Sequence, residues 1–335
     1  MKAVVMAGGE GTRLRPLTLD VPKPFIRVAG KPAIEYALEA LVQAGVKDII
    51  VTTFYKPERL IQHLSGGARL NARIFYSVED QAMGTAGGVA KCLPLTGDDT
   101  VIVLSADVIA DVNVKALVDA HKKSGAVATM ALTRVENVSE FGIVGLDETG
   151  RIVRFKEKPK TKEEAFSNLI NTGIYVLEPE ALRAVPEGAT FDFSKQLFPK
   201  LLEDGKRLQG VELEGFWMDV GRPSDLIKAS TALGAKRGRA DGLREGAKID
   251  AKARLARTDA YSGASVEAGA SVEDCILYDG ARVEADAVLG MTILAPDAVV
   301  GKGARLTDCV VGRGARVKPG ATLTGQKVEP GATAG

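Results

Sequence analysis

The stretch Ala7–Pro24, AGGEGTRLRPLTLDVPKP, gathers residue types that handle phosphate. Gly8, Gly9 and Gly11 let backbone N–H groups crowd around an anion, and Arg13, Arg15 and Lys23 supply charge to neutralise it. Two familiar phosphate loops do not fit. No Gly-Lys-Ser or Gly-Lys-Thr follows, which excludes a Walker-type loop. A dinucleotide fingerprint needs a glycine where Leu14 stands and an acid ending the second strand, where Thr52–Tyr55 stand. Further along, Asp107 closes the apolar run TVIVLSAD and Asp219 lies in FWMDVG. Asp107 could instead cap the segment after its strand, and Asp219 could open a helix at Gly221-Arg222-Pro223. Histidine is scarce. His63 and His121 are the only two, neither lies beside a motif, and both are expected at the surface of helices.

These groups need a scaffold that brings them to one place. Strand-length aliphatic runs recur at 2–7, 48–54, 72–79, 100–107 and 127–135, with helical patterns between them. Between the first two runs, Ile34, Ala37, Leu38, Leu41 and Val42 follow helical spacing and stop at Gly45. Aliphatic strands alternating with helices predict a Rossmann-like α/β domain whose largely parallel mixed sheet is covered on both faces. Past residue 140 the strands shorten, as in GIVGL and RIVRF, which points to a second lobe on the same sheet. In an open α/β sheet the ligand lies beyond the C-terminal strand ends, which is where the glycine-rich loop and Asp107 fall.

From Gly246 onward the chain repeats every 17 residues. Gly-Ala recurs at 246, 263, 280, 314 and 331, with Asp297-Ala298 in the remaining place. Each repeat carries three aliphatic positions, one series being Val266, Val283, Val300 and Val317, another Val272, Leu289, Leu306 and Leu323, and the third Leu277, Leu294, Val311 and Val328. One inward side chain per five or six residues cannot build a sandwich core. It suits a prism of three short strands per coil, and it resembles the hexapeptide repeat of left-handed parallel β-helices with one side shortened. Cys275, Thr292 and Cys309 share one repeat position and read as packing residues. The expected organisation is an α/β domain at 1–233, a glycine-rich charged linker at 234–245 and a β-helix at 246–335.

Composition narrows the classes of function. The 335 residues carry 44 lysines and arginines against 43 acids, so a net charge of +1 gives no electrostatic case for nucleic acid or a membrane surface. No charge-free apolar run approaches the roughly 18 residues of a membrane helix. The N-terminus carries too short an apolar run for a signal peptide, so a cytoplasmic location is expected. Three cysteines without a CxxC argue against both a disulfide framework and a zinc site.

GGEGTRLRPLT followed by VPKP resembles, nearly letter for letter, the signature of the sugar-nucleotide pyrophosphorylases, the sugar-1-phosphate nucleotidyltransferases. The resemblance runs along residues 1–233, and many members carry a C-terminal β-helix. It implies that Ala7, Gly8, Gly9, Gly11 and Thr12 wrap a nucleoside triphosphate, that Arg13 grips the departing phosphates, and that Lys23 reaches the phosphate oxygens between the substrates. Glu79, Gly84 and Thr85 would read the base. Gly142, Glu157, Lys158, Asn171 and Thr172 would form the sugar-phosphate pocket, and Asp107 and Asp219 would bind Mg²⁺. Trp217, the only tryptophan, is expected to pack rather than stack on a ligand.

The chemistry so implied asks for these residue types. A phosphate oxygen attacks the α-phosphorus while pyrophosphate leaves, so catalysis is positioning and charge neutralisation, and no histidine base is required. LTLDVPKP, LSADVIAD and EGFWMDVGRPSDL look most like mannose-1-phosphate guanylyltransferases, which implies GTP, mannose 1-phosphate and GDP-mannose. The alternatives are uridylyl or thymidylyl transfer to glucose 1-phosphate, and a non-catalytic subunit that binds sugar nucleotides. Acyl transfer, common on β-helices, normally needs a histidine, and 234–335 contain none. The β-helix is expected to build a homo-oligomer through its exposed sides. Removing residues 240–335 is then expected to lower oligomer order and thermal stability more than turnover.

Overall fold

The computed structural model describes residues 1–244 and 246–335. Two compact units form, and they do not follow the boundary at 233: one joins 1–9 to 34–217, and the other joins 10–33 to 218–335.

The first unit is built on a nine-stranded sheet. Its parallel centre runs in the order Val101–Ser105, Lys2–Met6, Asp48–Thr53, Arg73–Val78. Leu169–Leu177 joins antiparallel to Val101–Ser105 and also pairs with Ala128–Arg134, which makes the sheet mixed. Gly142–Leu146 and Ile152–Glu157 extend it as an antiparallel pair, the shorter strands expected past residue 140. The central strands are apolar on both faces because both are covered: Ala3, Val4, Val5, Ile49 and Val51 have no exposed surface. The edge strand departs from that expectation. Arg73–Val78 is only partly covered, and Phe75 and Val78, on opposite faces of it, are 46% and 42% exposed. Helix Ala33–Gln43 buries Ile34, Ala37, Leu38 and Leu41 as their spacing predicts, and Gly45 ends it in the left-handed region.

His121 corrects a sequence expectation. It lies on helix Val114–Ser124 but is 2% exposed, with Nδ1 2.7 Å from Thr129 Oγ1 and Nε2 2.9 Å from Glu178 Oε1. Those two partners make the imidazole affordable inside the core. His63 sits on helix Pro57–Leu64 and meets Glu35 at 2.9 Å.

In the second unit the 17-residue period becomes a register. Ile249, Val266, Val283, Val300 and Val317 are successive partners on one face of a left-handed parallel β-helix. A second face stacks Leu255, Val272, Leu289, Leu306 and Leu323, and a third stacks Ala260, Leu277, Leu294, Val311 and Val328. The Cys275 position is a polar ladder as well as packing. Cys275 Sγ accepts from Thr292 N–H at 3.4 Å, and Thr292 Oγ1 accepts from Cys309 N–H at 3.4 Å. Burial pushes the Cys275 thiol up to about 12.

The outward side of the third face is itself covered. Ile276 and Ile293 have no exposed surface, whereas Arg282, Val288 and Arg305 at outward places on the other faces are exposed. Helix Pro223–Lys236 runs three residues into the stretch read as linker. Asp241 and Leu243 then pair through their carbonyls with Thr258 and Ala260, which makes them part of the coil. Glu245, the last residue of that stretch, lies outside the described residues.

Candidate active site

The C-terminal ends of the parallel strands open into one cavity of about 270 Å³. Met6 leads into Gly8 and Gly9, Thr53 into Phe54, Val78 into Glu79, and Ser105 into Asp107, and all of these except Thr53 and Val78 line it. Ladder bonds run past the strand ends, from Ala7 N–H to Thr52 O at 3.0 Å and from Glu79 N–H to Thr53 O at 2.8 Å. They fix the loops where they leave the sheet. A Cβ on Gly9 would meet no protein atom within 4 Å, so glycine there leaves open space beside the backbone. Asp107 Oδ1 accepts from Ser105 Oγ at 2.5 Å.

Glu79 is 8% exposed, and its Oε2 accepts the Met83 N–H at 3.0 Å. Burial raises its pKa above the ordinary carboxylate value, and the Met83 hydrogen bond partly opposes that. Gly84 and Thr85 open the short helix Gly84–Ala90 on the cavity wall. The Thr85 hydroxyl is engaged on both sides: it donates to Asp192 Oδ1 at 3.2 Å and accepts from Phe193 N–H at 2.9 Å. Asp192 also lines the cavity, and sequence reasoning missed it. It stands between two phenylalanines in TFDFSK with no motif to mark it.

The residues expected at the sugar phosphate form a second cluster in the same unit. Gly142 pairs with Glu157 in the sheet, and a Cβ on Gly142 would stand 2.8 Å from Glu157 Oε2, so the glycine makes room for that carboxylate. Glu157 Oε2 is buried without a hydrogen-bond partner, and burial raises the group's pKa. Asn171 Nδ2 donates to Ser194 Oγ at 3.0 Å, so Ser194 is a second residue no motif announced. Lys158 follows Glu157 in a left-handed conformation, its N–H bonded to Phe141 O at 2.9 Å. Thr172 is turned away: it is 3% exposed, and its hydroxyl donates to the Ala131 carbonyl at 2.8 Å. Trp217 packs edge-on against Phe141 and donates from Nε1 to Thr172 O at 2.9 Å.

Arg13, Lys23 and Asp219 belong to the second unit. Gly11 has φ +66°, and a Cβ there would lie 2.9 Å from Lys23 Cβ and 3.0 Å from Thr18 Cγ2, so only glycine lets the loop fold this tightly. Thr12 and Arg13 follow on a 3₁₀ turn, Thr12–Leu14, with both side chains exposed. Lys23, between Pro22 and Pro24, is 8% exposed. Arg13 and Asp219 converge on Gly221, whose Cβ, if present, would be 2.9 Å from Arg13 Nη2 and 3.2 Å from Asp219 Oδ2.

The family model "Nucleotidyl transferase" matches residues 2–236. The chain belongs to the nucleotidyl transferase family. A second model, "GlmU-like, C-terminal hexapeptide", matches residues 247–330 of this nucleotidyl transferase. A UTP–glucose-1-phosphate uridylyltransferase of Synechocystis is 38% identical over 68% of the chain and 62% of its own length. The mannose-1-phosphate guanylyltransferase catalytic subunit beta of Drosophila pseudoobscura is 39% identical over 68% of the chain and 60% of its own. A Mycobacterium tuberculosis mannose-1-phosphate guanylyltransferase is 36% identical over 69% and 64%. The match thus spans less than two thirds of each of these relatives. Among solved structures, a Bacillus anthracis protein assigned as a glucose-1-phosphate thymidylyltransferase superposes with a TM-score of 0.64 at 26% identity, over 72% of the chain and 96% of its own. Among the described residues, no helix is long and apolar enough to cross a membrane.

Proposed function

We propose that the chain transfers a nucleoside monophosphate from a nucleoside triphosphate to a sugar 1-phosphate and releases pyrophosphate, in the cytoplasm, with GTP and mannose 1-phosphate as its substrates and GDP-mannose as product. The observation that carries the reading is the single cavity where Gly8, Gly9, Glu79, Gly84 and Asp107 meet at the strand ends. Backbone N–H groups at the glycines receive the triphosphate, and Glu79 accepts from the guanine N1–H and amino group. Arg13 and Lys23 neutralise charge on the phosphates. The sugar-phosphate oxygen forms a bond to the α-phosphorus as the bond to pyrophosphate breaks, and because the nucleophile is already an anion no base is needed.

Asp107 and Asp219 are the carboxylates proposed to hold Mg²⁺. Their hard oxygens, with no thiolate or imidazole among them, are the donor set this ion takes. When bound, the ion supplies charge neutralisation on phosphate oxygens. Homo-oligomers through the β-helix are proposed on its two uncovered faces and end coil.

A second reading, UTP or dTTP with glucose 1-phosphate, is favoured by one observation. Glu79 Oε2 is already engaged by Met83 N–H, and uracil and thymine ask for only one acceptor. The relatives' names fall on both sides. Pyrophosphate release with Mg²⁺, crossing five nucleoside triphosphates with mannose, glucose, galactose and N-acetylglucosamine 1-phosphates, decides between them. A maximum at GTP with mannose 1-phosphate supports the first reading. Silence across the grid with sugar nucleotides still binding would make the chain a non-catalytic binder.

A further inference from the structure

Arg13 and Lys23 sit in a segment, 10–33, that contributes no strand to the main sheet. Its regular structure is two 3₁₀ turns, one helical turn at Leu17–Asp20, and the small hairpin of Arg27–Val28 with Lys31–Pro32. So few backbone bonds cannot by themselves hold phosphate-handling side chains in place. The third face of the β-helix supplies the rest.

Arg27 is held from several sides. Its guanidinium pairs with both oxygens of Asp279 and lies 4.2 Å from the centre of the Tyr261 ring. Its carbonyl accepts from the Tyr278 hydroxyl at 2.9 Å, and the Tyr261 hydroxyl accepts from Gly30 N–H at 3.1 Å. Further along the face, Arg313 pairs with Asp20 at 3.5 Å, and Lys327 Nζ donates to the Arg13 carbonyl at 3.0 Å. Between these anchors a cavity of about 150 Å³ separates Leu17 and Phe25 from Tyr278 and Pro296. The seam is therefore only partly closed by packing, and the polar anchors help set where the segment lies. The repeat itself does not require them. Later coils carry Ala295, Gly312 and Glu329 at the tyrosine position, and Ser262 and Pro296 flank Asp279 at its own.

We propose that the β-helix is a positioning element for the phosphate-handling segment, with Asp279, Tyr278 and Lys327 as positioning residues that set where Arg13 and Lys23 stand. The catalytic half of this inference rests on the proposed function. Removing residues 240–335 would remove every one of these anchors, so such a truncation is expected to lower turnover as well as oligomer order and thermal stability.

The test uses full-length Asp279→Asn, Tyr278→Phe and Lys327→Met, with two readouts. Amide hydrogen exchange across 10–33 is expected to rise about tenfold in Asp279→Asn, while the strands of the main sheet and the coils keep wild-type rates. The kcat for pyrophosphate release is expected to fall about 10- to 100-fold with the sugar-phosphate KM nearly unchanged, the signature of misplaced groups rather than lost binding. Asp279→Glu should recover part of both. Lys327→Met removes one exposed donor and keeps the test alive if Asp279→Asn does not fold. Folded variants with wild-type exchange over 10–33 and wild-type kcat overturn the proposal. So does a lowered melting temperature with both readouts unchanged. A wild-type protein silent on every substrate pair sinks the proposed function instead, and the exchange comparison still decides the anchoring.

Discussion

Replacing Gly9 by alanine adds one methyl group where the protein has no use for its absence. Gly9 lies outside the left-handed region, and the new Cβ would meet nothing within 4 Å. By reducing the freedom of the unfolded chain, Gly9→Ala should stabilise the fold by about 0.4–1 kcal/mol. Function should move the other way. If the triphosphate lies against the Gly8–Gly9 backbone, the methyl pushes it back and weakens a charge-assisted hydrogen bond of about 1.5–3 kcal/mol. One such bond lost is about a 10- to 100-fold rise in the nucleotide KM. Gly11→Ala is the contrasting case. Its left-handed backbone costs about 1–2 kcal/mol, and the contacts with Lys23 and Thr18 add about 1–3 kcal/mol. That variant should lose stability and activity together. Thermal melting and pyrophosphate-release kinetics on the two variants check the pair. A Gly9→Ala protein with an unchanged nucleotide KM, or with a lowered melting temperature, would refute the reasoning.

Glu157→Gln should raise thermal stability near neutral pH by about 1 kcal/mol, since the wild type buries an unpartnered oxygen, while turnover falls. The folded pKa of Glu157 is raised, so its stabilising contribution is present at low pH and lost as pH rises through that pKa. The advantage of the glutamine variant should therefore vanish at the acid end of a melting series, and a constant advantage would count against this account. Glu79→Gln should lower kcat/KM for the preferred nucleotide about 10- to 100-fold and leave the sugar-phosphate KM alone. Burial raises the Glu79 pKa, so wild-type nucleotide KM should climb as pH falls through a value above the ordinary carboxylate range, and the glutamine variant should not share that limb. Cys275→Thr should melt within about 1 kcal/mol of wild type because threonine serves that rung in the neighbouring coils, whereas Cys275→Val strands the Thr292 N–H and should cost about 1–3 kcal/mol.

Periodicity by itself determined the stacking from Gly246 onward, though not the coil residues Asp241 and Leu243 before it. A 17-residue repeat has one way to stack, so the inward aliphatics and the cysteine rung follow from spacing alone. The glycine-rich loop and the strand ends at Glu79 and Asp107 were legible for the same local reason: a strand's direction places its last residue at the ligand edge of the sheet. What only the tertiary structure decided depends on contacts between residues distant in sequence. Asp192 reaches the cavity through Thr85, 107 residues away, and Ser194 reaches Asn171 with no motif of its own. His121 looked like a helix-surface residue until Glu178 and Thr129 closed around it. Phe75 looked like a core residue until its strand became an edge. The burial of Lys23, and the grip of Tyr278, Asp279 and Lys327 on the segment that carries it, have the same origin. A repeat fixes which side chains point outward, but what covers them is settled only when the chain folds back on itself.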